Sequence, residues 1–276
     1  MTYPPTTWRL ILTPPARGDW NMAVDEAMLE AVGRGEVLPT LRLFAWQPPC
    51  LSLGYAQPVA DADLLRLAER GWGLVRRPTG GRAILHTDEL TYSVVAPPDE
   101  PRLEGSVLES YRRLSAALLD ALQRLKVPAQ AKRQSAASPS GERKAPICFE
   151  APSNYEITVQ GKKLIGSAQA RRREGVLQHG SLPLYGDLTR ITQVLRFADE
   201  ASRERAAQRL LMRATTVEAI LAYPLTWDAA AQAFIAAFEH TLALSLKLEE
   251  LTPNEISHAE ELVREKYGNQ AWTARV

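Results

Sequence analysis

The chain has 276 residues, long enough for one large domain or two small ones and too long for a small disulfide-stapled scaffold. Lys and Arg number 33 against 32 Asp and Glu, a net charge of +1, so neither a global basic field for nucleic acid nor an acidic excess that favours disorder is present. The two cysteines, Cys50 and Cys148, stand far apart without CxxC spacing, which argues against structural zinc and for a reducing compartment. Met1 to Trp8 carries no basic segment followed by an apolar run, and no stretch approaches the ~20 apolar residues that span a bilayer. A soluble, cytoplasmic monomer is expected, with no nucleic-acid or membrane partner.

Trp8 to Leu12 reads as a strand, followed by a helix capped at Asp19, with Trp20, Val24, Ala27, Met28 and Ala31 as its inward stripe and an end near Gly33. Leu41–Trp46, Leu51–Tyr55, Leu74–Arg77, Ala83–His86 and Leu90–Ala96 are short apolar runs set off by Pro and Gly, with a short helix over Ala62–Arg70. Ser106 and Glu109 form a capping box before a helical repeat of Val107, Tyr111, Leu114, Leu118, Leu122 and Leu125. Gln130 to Ala145, rich in charge and poor in anything to bury, reads as a mobile basic loop. Tyr155–Val159 and Lys163–Ala168 flank Gln160-Gly161 as a hairpin, and Val176–Leu184 adds a strand. The last third reads as helices over Thr216–Leu221 and Asp228–Leu246 and after the cap Thr252-Pro253. An α+β fold follows, one domain over 1–276 with 188–276 a helical extension packed on it.

Arg76-Arg77-Pro78-Thr79-Gly80-Gly81-Arg82 joins two strand-like runs. It reads either as a tight hairpin with solvated arginines or as a cradle whose backbone amides approach an anion or a thioester carbonyl. Cys148 stands between the basic segment and a strand, where nearby positive charge would favour the thiolate that acyl transfer needs, against the alternative of an inert buried thiol; Cys50 reads as core. Lys163, three residues before the small run Gly166-Ser167-Ala168, is either a solvated hairpin lysine or a cation aimed into a cleft. His86 and His179 suit a general base or a structural hydrogen bond, Asp88-Glu89 reads as a loop charge pair, and His240 and His258 as surface residues. Arg171-Arg172-Arg173 with Lys132, Arg133, Arg143 and Lys144 could form a basic rim for an acidic protein partner.

The segments Asp19 to Ala27, Leu51 to Gln57, Arg76 to Ala83 and Lys163 to Gln169 together resemble the lipoate/octanoate transferase and ligase superfamily, whose mixed-sheet catalytic domain is shared with biotin protein ligase. Cys148 to Ser153, Gly166 to Gln169 and Lys266-Tyr267-Gly268-Asn269 most resemble, within it, the octanoyltransferase LipM family, which acts as octanoyl-[acyl-carrier-protein]:protein N-octanoyltransferase. The resemblance implies a Cys148 thioester loaded from octanoyl-acyl carrier protein and discharged onto a lysine of the glycine cleavage H protein or another lipoyl domain, with neither ATP nor metal. It implies that Lys163 orients the acyl carbonyl and favours the thiolate. Gly80 and Gly81 would lie against the acyl group, Arg76, Arg77 and Thr79 would shape the pocket, and His86, Gly166, Ser167, Ala168 and His179 would be its neighbours. Arg82 and Thr87 stand where many ligases of the superfamily carry a third glycine and an aspartate. An ATP-dependent lipoate ligase, octanoyl transfer from H protein to E2 lipoyl domains, and a non-catalytic carrier-binding module are the competing readings.

Overall fold

The computed structural model describes residues 3–133, 147 and 155–276. In chain order these form β1 (Thr6–Leu12), α1 (Gly18–Gly33), β2 (Thr40–Phe44), β3 (Cys50–Leu53), a 3-10 turn (Val59–Asp61), α2 (Leu64–Glu69), β4 (Gly73–Arg76), β5 (Ile84–His86) and β6 (Glu89–Ala96). Then follow α3 (Val107–Arg124), β7 (Gln130–Arg133), β8 (Tyr155–Val159), β9 (Lys162–Arg171), β10 (Val176–Pro183) and a 3-10 segment (Leu188–Val194). The chain continues as α4 (Glu200–Arg213), α5 (Val217–Leu221), α6 (Trp227–Leu242), β11 (Leu244–Glu249), α7 (Pro253–Leu262), a π-helical turn (Val263–Tyr267) and α8 (Gln270–Thr273). The main sheet runs β11-β1-β2-β6-β10-β9-β8-β7 and a small sheet runs β4-β3-β5. Among the described strands β11-β1-β2 and β3-β4 pair parallel and the others antiparallel, so the sheets are mixed and the fold is α+β.

Strand alternation divides the main sheet into an apolar and a polar face. Trp8 and Leu10 of β1, Leu41 and Leu43 of β2, Leu90, Tyr92 and Val94 of β6, and Val176 and Leu182 of β10 share one core with Leu114, Leu118 and Leu122 of α3 and Phe234 and Phe238 of α6. The residues between them turn the other way. Arg9, Arg42, Thr91, Ser93, His179 and Ser181 are all buried, and their side chains pair with groups from α1, α7, β5 and the strands' own ends. Met22, Val24 and Met28 of α1 form a second core with Ile11, Phe44 and Val95, joined by Trp46, Cys50 and Val75 from the small-sheet side.

Local signals place several elements where their residues demand. Ser106 and Glu109 close the capping box of α3, and Thr252 and Glu255 close that of α7 around Pro253. Gln160 at φ 51° and Gly161 at φ 79° make the two-residue turn between β8 and β9. Elsewhere the structure corrects the expectation. Asp19 is not the cap of α1; Arg17 occupies that position, and Asp19 pairs with it from the first turn. Residues 188–276 are not wholly helical, because Ala243 at φ 51° ends α6 and the alternating Leu244, Leu246 and Leu248 continue as β11, parallel to β1. Gln130–Arg133 is a strand rather than loop, paired with β8; positions 134–145 lie outside the described residues. Helix α4, capped by Asp199, was not expected from its charged sequence.

Arg9 and Glu255 clamp α7 to the sheet. Two guanidinium contacts, at 2.6 and 3.0 Å, join side chains that are both buried, and Arg9 Nε donates to Thr40 Oγ1 at 3.0 Å. Because α7 packs on α1, this pair also holds the helix that carries Asp25 of the site. Glu255→Ala would leave Arg9 uncompensated and open the α7 capping box, and is expected to cost about 3–5 kcal/mol in urea unfolding; a loss below about 1 kcal/mol would show that the clamp is not structural.

Candidate active site

Between α1 and the polar face of the sheet lies a narrow slot, walled by Met22, Trp46, Ser52, Arg77, Ile84, His86 and Thr91 and by Gly166-Ser167-Ala168 of β9 and His179-Gly180-Ser181 of β10. The β9 and β10 runs are cross-strand partners, His179 with Ala168 and Gly180 with Ser167. A Cβ at Gly180 would come within 2.7 Å of both Tyr92 Cε1 and the Gly166 carbonyl, so only glycine permits this approach.

One end of the slot is set by Asp25 of α1. Its carboxylate pairs with Arg42 Nη1 at 2.8 Å, accepts Ser93 Oγ at 2.9 Å and lies 3.2 Å from His179 Nδ1. Arg42 is completed by Asn21 Oδ1, the Asn21 carbonyl and Thr13, so the buried guanidinium is satisfied on all sides. Burial works to raise the Asp25 carboxyl, but the His179 hydrogen bond, the Arg42 charge and Ser93 together hold it below the ordinary carboxylate value. Burial lowers His179, against the opposing pull of Asp25, with Arg77 and His86 adding to the lowering. His179 is therefore neutral near pH 7. Its Nδ1–H donates to Asp25, and Nε2 accepts the Thr79 hydroxyl at 2.7 Å.

The other end is set by Glu89, at the start of β6. Oε1 accepts from His86 Nδ1 at 2.6 Å, Thr91 Oγ1 at 2.5 Å and Ser181 Oγ at 2.8 Å. Burial pushes this carboxyl up, and His86, Thr91 and Ser181 more than offset it, leaving it lowered. The His86 ring stacks on Trp46, centroids 3.9 Å apart, and its Nε2 lies 2.8 Å from Ser52 Oγ. Glu89 is thus a buried acceptor, not a loop charge; Asp88 pairs outward with Arg190.

Of the residues singled out in the sequence, Arg77, His86, Gly166, Ser167, Ala168 and His179 meet at the slot, and Thr79 stands behind His179. Arg77 donates to the Ser52 carbonyl and hydroxyl and to the carbonyls of Gly80 and Arg82, tying the 78–82 loop to β3. Arg76 does not line the slot; it donates to the carbonyls of Gly54, Tyr55, Gln57 and Thr273, anchoring the end of α8 instead. Gly80 and Gly81 form the tip of the loop and do not line the slot either. Gly81 has φ +99°, and a Cβ there would stand 2.8 Å from Arg77 Nη2. Lys163 is buried on β9 with Nζ 3.3 Å from Glu156 Oε1, three positions before the slot-lining Gly166. Cys148 lies outside the described residues. Cys50 is core, its Sγ 2.3 Å from where a Gly18 Cβ would stand, and burial, with smaller contributions from Asp19 and Glu89, raises its thiol far above the usual range.

Arg172 does not belong to a solvated basic rim. It joins Lys266 and the Tyr267 hydroxyl on the buried Glu26, at Nζ distances of 2.6 and 2.7 Å for Lys266. Arg171 donates to the Leu103 carbonyl and the Ser110 hydroxyl. Sequence reasoning gave no site role to Asp25, Ser52, Gly180 or Ser181 and read Glu89 as a loop charge. The signal available for three of them was the alternation of polar and apolar residues in β6 and β10. Among the described residues no cluster of three His, Cys, Asp or Glu could hold a metal, and no helix is long and apolar enough to cross a membrane.

The family model of the lipoyl protein ligase A/B catalytic domain matches residues 18–239. A protein of Kyrpidia tusciae named octanoyltransferase LipM is 42% identical, covering 98% of this chain and 99% of its own. The bipartite lipoate protein ligase of Thermoplasma acidophilum, solved in a study with its E2 lipoyl domain, superimposes with a TM-score of 0.80 at 26% identity over 98% of both chains. A lipoate-protein ligase A bound with ATP gives 0.77 at 26% identity, covering 97% of this chain and 98% of the other.

The buried histidine makes stability depend on pH. Since the native His179 value lies below its ordinary value of about 6.5, the unfolded chain holds more protons between the two, and stability rises with pH across that window. Acidification therefore weakens the fold from about pH 6.5 downward, before the lowered Asp25, Glu26 and Glu89 add their losses below about pH 4.5. His258, raised by its Glu261 and Glu30 partners against burial, opposes this, but it is only partly buried. Urea unfolding of wild type should weaken more between pH 7 and 5.5 than that of His179→Gln; equal slopes would show that His179 titrates freely.

Proposed function

We propose that this chain, which belongs to the lipoyl protein ligase A/B catalytic-domain family and within it to the relatives named octanoyltransferase LipM, transfers an octanoyl group in protein lipoylation through a Cys148 thioester. The observation that carries the thiol assignment is the burial of Cys50. The sequence holds two cysteines, and Cys50 sits in the core, where burial raises its thiol and disfavours the thiolate, which supports Cys148 as the nucleophile. In the first half-reaction the Cys148 thiolate attacks the carbonyl of octanoyl-acyl carrier protein, and the phosphopantetheine thiol leaves. In the second, the amine of a lysine on the glycine cleavage H protein attacks the acyl-enzyme, giving an amide and returning the thiolate. Thioester exchange is nearly balanced and the amide is the more stable product, so no nucleotide is consumed.

In this reading Lys163, oriented by Glu156, supplies the cation that polarises the acyl carbonyl, and Arg77 forms part of the slot wall while tying the 78–82 loop to β3. The small residues Gly166, Ser167, Ala168 and Gly180 of β9 and β10 line one wall of the slot, where the acyl group would lie. Likeness to a ligase studied with its E2 lipoyl domain supports a lipoyl-type acceptor, with transfer from H protein to E2 domains as the variant of the same chemistry. Likeness to an ATP-bound ligase favours a second reading, in which free octanoate is activated by ATP.

Intact mass spectrometry after mixing with octanoyl-acyl carrier protein should show one octanoyl adduct, absent in Cys148→Ala. Modification of H protein by octanoate and ATP that survives Cys148→Ala would replace this reading with the ligase. Lys163→Met should slow adduct formation by about 10²–10³-fold with an unchanged far-UV spectrum; a normal rate would remove Lys163 from the chemistry.

A further inference from the structure

Thiol-based transfer leaves one arrangement at the slot without a task. Ser52 Oγ lies 2.8 Å from His86 Nε2, and His86 Nδ1 lies 2.6 Å from Glu89 Oε1. All three residues are buried, and Ser52 and His86 both line the slot. An ionised carboxylate can only accept, so Nδ1 carries a hydrogen, and in the neutral ring the Nε2 lone pair faces the serine hydroxyl. Trp46 fixes the plane of the ring by stacking, and Arg77 Nη1 donates to Ser52 Oγ at 3.1 Å, placing a cation against the oxygen on which negative charge would develop. Nucleophile, base and orienting carboxylate are the three parts of an activated serine. The parallel chain Asp25–His179–Thr79 does not qualify, because Thr79 does not line the slot.

We propose that Ser52 is a second acyl-accepting nucleophile, which gives the slot a slow thioester hydrolase activity beside transfer. That the occupant is an octanoyl thioester rests on the function proposed above; the triad itself does not. Ser52 Oγ bonds to the acyl carbon as its proton passes to His86 Nε2, and the C–S bond breaks with the leaving thiolate taking that proton. Water then attacks the ester carbon and gives a proton to His86, which returns it to Ser52 Oγ as the C–O bond breaks. The sum is thioester plus water giving thiol plus octanoic acid, with no other reactant. Glu89 acts through His86 and is a positioning residue.

The full chain carrying Cys148→Ala is treated with an octyl fluorophosphonate, which bonds to an activated serine with loss of fluoride and needs no natural donor. One phosphonyl adduct is expected, mapped to Ser52 by peptide mass spectrometry, absent in Ser52→Ala and slowed by about 100-fold in His86→Gln. On S-octanoyl pantetheine, octanoate release should fall at least about 10-fold when Ser52→Ala is added to Cys148→Ala. No adduct at Ser52 in folded protein, or labelling that ignores His86→Gln, overturns the triad. Labelling of Ser52 without thioester hydrolysis supports the nucleophile and overturns the octanoyl occupant, so the two failures are distinguishable.

Discussion

Two carboxylates shut away from water decide the character of the slot. Asp25 and Glu89 are each buried, and a buried carboxylate persists as an anion only where hydrogen-bond donors and positive charge replace its hydration. For Asp25 those are Arg42, Ser93 and His179; for Glu89 they are His86, Thr91 and Ser181. Each carboxylate thereby takes possession of one imidazole, fixes which nitrogen carries the hydrogen, and turns the other nitrogen toward a hydroxyl. The site is built of fixed dipoles rather than of residues free to adjust.

That demand propagates outward. Arg42 must be held by Asn21 and Thr13, so α1 and the start of its connection are committed to the sheet. Glu26, next to Asp25, gathers Arg172, Lys266 and Tyr267, which draws the π-helical turn after α7 over α1. Arg76 binds the Thr273 carbonyl, and Trp272 Nε1 returns a hydrogen bond to the Arg76 carbonyl at 2.8 Å. The carboxy-terminal segment thus packs against the helix and loop that frame the slot, and β11 completes the same sheet.

Elements with a local cause were legible in the sequence. The capping boxes at Ser106 and Thr252 and the Gln160-Gly161 turn are set within a few residues, and all three stand as expected. Strand β11 was not, because its alternation is short and follows directly on α6 with only the left-handed Ala243 between them. Helix α4 is mostly exposed, and its stability comes from the packing of Ala206 and Leu210 rather than from a periodic apolar stripe. At the site, the paired-glycine motif, the two histidines and the β9 run were visible as residue types. Their partners were not, since Asp25 and Glu89 owe their roles to contacts 154 and 3 positions away that only the folded sheet brings to distance. Arg76 and Arg77 illustrate the limit: adjacent and chemically identical, they serve different parts of the molecule because one ends β4 and the other begins the loop.

The most direct measurement of this carboxylate control is nitrogen-15 NMR of the histidine side chains at pH 7. His179 should be neutral, with the hydrogen on Nδ1 and an unprotonated Nε2, His86 should carry a hydrogen on Nδ1, and Asp25→Asn should alter the His179 resonances while sparing His86. A hydrogen on Nε2 of His179 or a bare Nδ1 on His86 would contradict the account, as would averaged tautomers typical of solvated imidazole.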